Sequence, residues 1–173
     1  MPDRAPVLTD APALDTADDA PRLLDTWRKI IATGNIPEGR RIDAVSRWLL
    51  ITRACVFSMT LTSGLIGGLL AAATAAHPHW GYFALALFGL VLAHATNNMI
   101  NDYFDTIGGV DTADYTRALY APHPLLSGLI SVNGLRATIV ACNLIDLAIG
   151  IVLLRARGWP VAAFALAGLF ISV

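Results

Sequence analysis

Between Ala54 and Ala76 the chain carries no charged residue. That run exceeds the roughly 20 apolar residues a helix needs to cross the hydrocarbon core of a bilayer. Inside lipid every backbone N–H and C=O must be satisfied within the protein, so only helices and closed barrels span it. Two further apolar runs follow, from about Trp80 to Ala95 and from about Leu135 to Leu154, and a fourth opens at Trp159 and reaches Val173. The runs are long and do not alternate, which excludes a β-barrel. Composition agrees: 14% of residues are charged, where soluble domains approach a quarter. The expected fold class is an all-α transmembrane helix bundle of about four spans, the last truncated.

The remainder divides simply. Residues 1–20 are rich in Asp, Pro and Ala and lack aromatics, so they read as a disordered acidic tail that cannot bury enough surface to offset chain entropy. Residues 21–46 read as an amphipathic helix and a linker. Leu23, Leu24, Trp27, Ile30 and Ile31 recur at helical spacing, with Arg22, Asp25, Arg28 and Lys29 opposite. Such a helix lies in the membrane interface or packs on the protein's own surface; both remain open. Residues 47–173 form the membrane domain. A net charge of −1 offers no basis for nucleic-acid binding. Cys55 and Cys142 lie far apart in apolar runs and suggest no disulfide.

The chemistry concentrates where the second apolar run ends, in Asn97-Asn98-Met99-Ile100-Asn101-Asp102-Tyr103-Phe104-Asp105, followed by Gly108-Gly109-Val110-Asp111 and Asp114. On a helix, Asn97, Asn101 and Asp105 stack on one face, and Asn98 and Asp102 stack one position round. Gly108-Gly109 breaks the helix. Carboxylates and amide carbonyls are hard oxygen donors suited to Mg²⁺, which proteins hold through one or two carboxylates plus substrate phosphates. In the third run, Asn143 and Asp146 place an amide and an acid within the membrane. Such an acid pairs inside a bundle or belongs to a site.

Asn101-Asp102-Tyr103-Phe104-Asp105 with Gly109-Val110-Asp111-Thr112-Ala113-Asp114 resembles the first aspartate-rich motif of the UbiA superfamily of intramembrane prenyltransferases, and is most similar to the branch that prenylates dihydroxynaphthoate. The resemblance covers about Trp48 to Val173, the front half of such a bundle. Two further stretches resemble the family in part. Arg53-Ala54 stands where Arg-Pro is usual, and membrane-surface snorkelling is the other reading of Arg53. His123-Pro124-Leu125-Leu126-Ser127-Gly128 stands where Arg-Pro-Leu-x-x-Gly is usual. Histidine lacks arginine's permanent charge and two-pronged grip on phosphate.

The resemblance implies Mg²⁺-dependent transfer of a polyprenyl group from its diphosphate to an aromatic acceptor such as a quinone precursor. It implies catalytic roles for Asn101, Asp105 and Asp111, and substrate contacts from Asn97, Asp102, Asp114, Arg117, Arg53 and His123. It implies metal ligation by Asp105, Asp102 and Asp111. No second aspartate-rich motif occurs, so the chain reads as an incomplete enzyme, with the missing C-terminal half a candidate partner in trans. The alternative is a non-catalytic membrane subunit or transporter-like fragment with an acidic cytosolic vestibule. Arg40, Arg41, Arg47 and Arg53 before the first span favour a cytosolic N-terminus and aspartate-rich loop, in an inner or plasma membrane.

Overall fold

The computed structural model describes residues 20–37, 42–112 and 121–172. The acidic N-terminal stretch, Asp114 and Arg117 lie outside the described residues. All the regular structure described is helical: α1 (Ala20–Thr33), α2 (Ala44–Ile51), a 3-10 turn (Ala54–Val56), α3 (Phe57–Thr74), α4 (Trp80–Ile107), α5 (Val132–Arg157) and α6 (Trp159–Ser172).

Three of these helical segments are long and apolar enough to cross a membrane: Ala54–Thr74, Trp80–Ile107 and Val132–Arg157. Their flanks are largely exposed, and large apolar side chains such as Met59, Leu69 and Leu144 face outward. In water that surface would be untenable; in a bilayer it meets a solvent as apolar as itself. The chain is therefore read as a multi-pass membrane protein. α6 is shorter than a full crossing.

α4 is the axis, with α5 against one side and α3 against another. Small residues permit the approach. Gly64 lies under Leu87 and Leu90, and Gly68 under Phe83, so the GxxxG pair of α3 serves packing within the chain. Gly89 of α4 faces Ile149 and Asp146 of α5. Thr60 and His94 join α3 to α4 by a 2.6 Å hydrogen bond between Oγ1 and Nδ1. Asp146 thus lies against a neighbouring helix. Asn143, three residues before it, is exposed, and its amide donates to the Ile139 carbonyl of its own helix.

The buried core lies at one end of the bundle, not along its middle. Ile30, Leu50, Ile51, Met99, Leu129, Leu135 and Cys142 form it, drawing on α1, α2, α4, α5 and the chain before α5. α1 packs through Thr26 and Ile30 and leaves Leu24 and Ile31 exposed, so it covers the protein and still presents an apolar edge. The turn after it uses Gly34 at φ +72°, a left-handed value that suits glycine.

Three boundaries differ from the sequence reading. The segment before the first span is a helix of its own, α2. Its N-cap is Asp43, whose carboxylate accepts N–H bonds from Val45 and Ser46 at 2.8 and 3.0 Å. α5 starts at Val132 because Ser131 caps it, its hydroxyl accepting from Gly134 N–H. α5 also runs past Leu154, where the apolar run ends, through Arg155-Ala156-Arg157, and stops at Gly158 with φ +80°.

Candidate functional site

The C-terminal half of α4 buries Ala95, Thr96, Asn98, Met99 and Asp102. Steps of three and four residues keep Ala95, Asn98, Met99 and Asp102 on one face. Asp102, with 0% exposure, is a carboxylate wholly removed from solvent, and such a group requires partners.

The first partner comes from the break between α2 and α3. There Arg53 adopts φ 55° and ψ 48°, the left-handed region, which costs a non-glycine residue about 1–2 kcal/mol. Its Nε donates to Asp102 Oδ2 at 3.2 Å, and its Nη2 donates to Oδ1. This two-point grip matches the fork of a guanidinium to the plane of a carboxylate. One turn earlier on α4, Asn98 Nδ2 donates to the Thr52 carbonyl at 3.2 Å. Two consecutive turns of α4 thus hold two consecutive residues of the break.

The second partner comes from beyond α4. Gly108 caps the helix and Gly109, at φ +72°, turns the chain back. The N–H groups of Val110 and Asp111 both donate to the Asp105 carbonyl, at 2.8 and 3.0 Å. This fold tucks Asp111 inward, to 6% exposure. His123, just before Pro124, is equally buried, and its Nε2 lies 3.1 Å from Asp111 Oδ2 and 3.5 Å from Asp102 Oδ1. The other ring nitrogen fixes the tautomer. His123 Nδ1 accepts backbone N–H bonds from Leu125 (3.3 Å) and Leu126 (3.4 Å). Nδ1 is therefore unprotonated, the ring proton is on Nε2, and His123 donates to Asp111, with Asp102 Oδ1 beside it.

Asp102, Asp111 and His123 each offer one ligand atom, all within 4.8 Å of one another. The two carboxylates suit a hard divalent ion in kind. The imidazole does not join them, because a ligating histidine normally donates its second ring N–H, and here that nitrogen is an acceptor. The group could hold a metal ion through its two carboxylates, with His123 orienting Asp111 and Arg53 competing for Asp102.

Of the residues expected at the site, the structure brings together Arg53, Asp102, Asp111 and His123. It does not add Asn101, which is exposed, or Asn97, which is half-buried. Asp105 is half-buried and contributes its backbone carbonyl; among the described residues its carboxylate makes no hydrogen bond or ion pair. The stripe turned inward is thus Asn98–Asp102, one position round from Asn97–Asn101–Asp105. The Thr52 carbonyl is the participant that the sequence reading did not name, and Asn98, stacked there with Asp102, is given no site role in it. The signal for Asn98 was its four-residue offset from Asp102.

Outside this cluster, Asp43 binds α1 to α2. It accepts from Trp27 Nε1 at 3.1 Å and from Ser46 Oγ at 2.5 Å. Burial pushes its carboxyl up, but the bonds from Ser46, Trp27 and Val45 outweigh burial and hold it below the ordinary carboxyl value. A cavity of about 450 Å³, bordered by Arg47, Trp48, Ser131 and Thr138, lies between α2 and the start of α5, apart from the buried cluster.

Comparison of the chain with family models, with curated proteins and with solved structures gives no match.

Proposed function

We propose that this chain carries the diphosphate site of an intramembrane prenyltransferase of the UbiA type, moving a polyprenyl group from its diphosphate to an aromatic acceptor such as a quinone precursor. One observation carries the reading: a guanidinium, two carboxylates and an imidazole converge from three separate stretches at one end of a helix long enough to span the bilayer. A purely solvated helix end has no reason to gather them.

In this reading Asp102 and Asp111 hold Mg²⁺, with Asp105 and Asn101 nearer the open side. Mg²⁺ supplies neutralisation of the diphosphate as it leaves. Arg53 grips phosphate oxygens through its fork. His123 holds Asp111 through Nε2–H, next to Asp102. The apolar helices keep water from the allylic carbon, which would otherwise be captured by it. The allylic carbon–oxygen bond breaks and releases diphosphate, a carbon–carbon bond to the ring forms, and the proton displaced from the ring passes to the released diphosphate. Asn97, Asp114 and Arg117 are the remaining candidates for substrate contact.

The cluster end faces the cytosol in this reading, since Arg28, Lys29, Arg47 and Arg53 gather there. Arg157, at the opposite end of α5, stacks over the Tyr82 ring at 5.2 Å.

The test incubates membranes containing the protein with Mg²⁺, a polyprenyl diphosphate and dihydroxynaphthoate, beside Asp111→Asn. Prenylated product from the wild type and at least ~100-fold less from the variant is the expected result, in line with loss of an electrostatic group in a dry site. No product, or equal product, removes the enzyme reading. The second reading, a non-catalytic membrane subunit, is favoured by the mutual pairing of the buried charges and predicts no turnover.

A further inference from the structure

We infer that the cavity between α2 and the start of α5 binds the phosphodiester headgroup of an anionic membrane phospholipid. None of the charged residues of the buried cluster lines it, and prenyl transfer is not required for it to fill.

The cavity, of about 450 Å³, lies where two candidate spans enter the bilayer. Arg47 and Trp48 come shortly before the span that opens at Ala54, and Ser131 directly precedes the one that opens at Val132. Arg47 supplies a guanidinium, and among the described residues no carboxylate pairs with it. Ser131 and Thr138 supply hydroxyls. Ser131 Oγ already accepts the Gly134 N–H, so its own hydrogen is left to donate. Thr138 Oγ1 has no hydrogen-bond partner among the described residues. Ile51 and Leu129, both buried, add an apolar wall, and Trp48 is an exposed ring at the edge.

A phosphodiester matches this set. It carries one negative charge and oxygens that only accept, against a fork of N–H donors and two O–H donors. A guanidinium without a carboxylate favours an anionic lipid over a zwitterionic one, whose own ammonium competes for the same phosphate. A soluble phosphate would leave the rest unused. Along α5 from Thr138, Ile145 and Val152 follow at seven-residue steps, which return to nearly the same side of a helix. They are 48% and 49% exposed. Trp48 stands where indole rings favour the headgroup level. Acyl chains can thus run along α5 while the headgroup sits in the cavity.

The test places the full chain in nanodiscs of phosphatidylcholine with a minor share of phosphatidylglycerol. It then extracts the protein in mild detergent and counts retained lipid by native mass spectrometry. The wild type is expected to retain phosphatidylglycerol at least ~10-fold over its share in the disc, the lower end for a hydrogen bond to a charged group. Arg47→Gln abolishes that preference. So does Thr138→Asp, which sets a carboxylate in the cavity and serves if the glutamine variant does not fold. Arg136→Gln, the same charge change at an exposed position of α5 outside the cavity, keeps the preference. Retention of both lipids in proportion to the disc overturns the inference. So does a preference that survives either cavity variant, or one that Arg136→Gln also abolishes. Inorganic phosphate separates the two sources of the anion: an equimolar amount is expected to displace no lipid, and displacement assigns the cavity to a free anion and overturns the lipid.

Discussion

At the scale of single residues, the cluster is an arrangement in which each group depends on its neighbour. Asp102 is fully buried and gripped by Arg53. Removing one partner of a buried pair costs about 3–5 kcal/mol, because the other charge is left uncompensated. Arg53 keeps some solvent, so Asp102→Ala is expected near the lower figure, read as a loss of thermal stability in detergent that Asp102→Asn partly recovers. His123 yields a sharper prediction. Replacing it by arginine restores the residue usual in the family it resembles, yet arginine has no acceptor for the Leu125 and Leu126 N–H groups. His123→Arg is therefore expected to lose stability by about 1 kcal/mol, the net worth of hydrogen bonds to donors that are only part-buried. A gain in stability would show that Nδ1 is not what organises that turn. Asp43 gives a pH dependence with a definite sign. Its carboxyl lies below the ordinary 3.8 when folded, so its stabilisation is complete above that value and is lost as pH falls through the depressed one. The stability gap between wild type and Asp43→Asn is expected to close between neutral and strongly acidic pH, measured by denaturation at each pH. The four residues of the cluster were all visible in the sequence as chemistry-bearing positions. Their mutual pairing was not, because it depends on a left-handed Arg53 and an imidazole tautomer, and neither leaves a trace in residue order.

At the scale of elements, the long helices and their stops were legible. Runs without charge are unambiguous, and Gly34, Gly108-Gly109 and Gly158 stand where helices end. The inward face of α4 was harder. Its polar stripes at Asn97–Asn101–Asp105 and Asn98–Asp102 differ by one position, about 100° of rotation, and both carry amides and acids. Packing decides between them: Met99 and Asp102 must turn toward Leu50, Ile51 and Leu135, which the sequence separates by dozens of residues. α2 was missed because Arg47 and Trp48 resemble the flank of a span rather than a separate helix with its own cap. The α3–α4 contact offers a direct check. A side chain at Gly68 would overlap the Phe83 ring, and overpacking of this kind costs about 1–3 kcal/mol. Gly68→Leu is expected to lower thermal stability markedly, while Gly67→Leu, where nothing lies within reach, is expected to be near neutral. Similar losses at both positions would mean the helices meet elsewhere.

At the scale of the whole molecule, the three apolar helices set a topology that labelling can read. The loop at His77 and the turn at Ser127 lie at opposite ends of α4 and its neighbours. In a Cys55→Ser, Cys142→Ser background, His77→Cys and Ser127→Cys are expected to react with an impermeant thiol reagent from opposite sides of sealed vesicles. Reaction from one side only would rule out an odd number of crossings between them. The length of α4 has a further consequence. Its 28 residues extend about 42 Å, against roughly 30 Å of hydrocarbon. Asp102 stands about 33 Å along it from Trp80, where oil gives way to water. A reactant with an ionic head and a greasy chain can dock at that shoreline without abandoning either phase, so its search is confined to a surface rather than a volume.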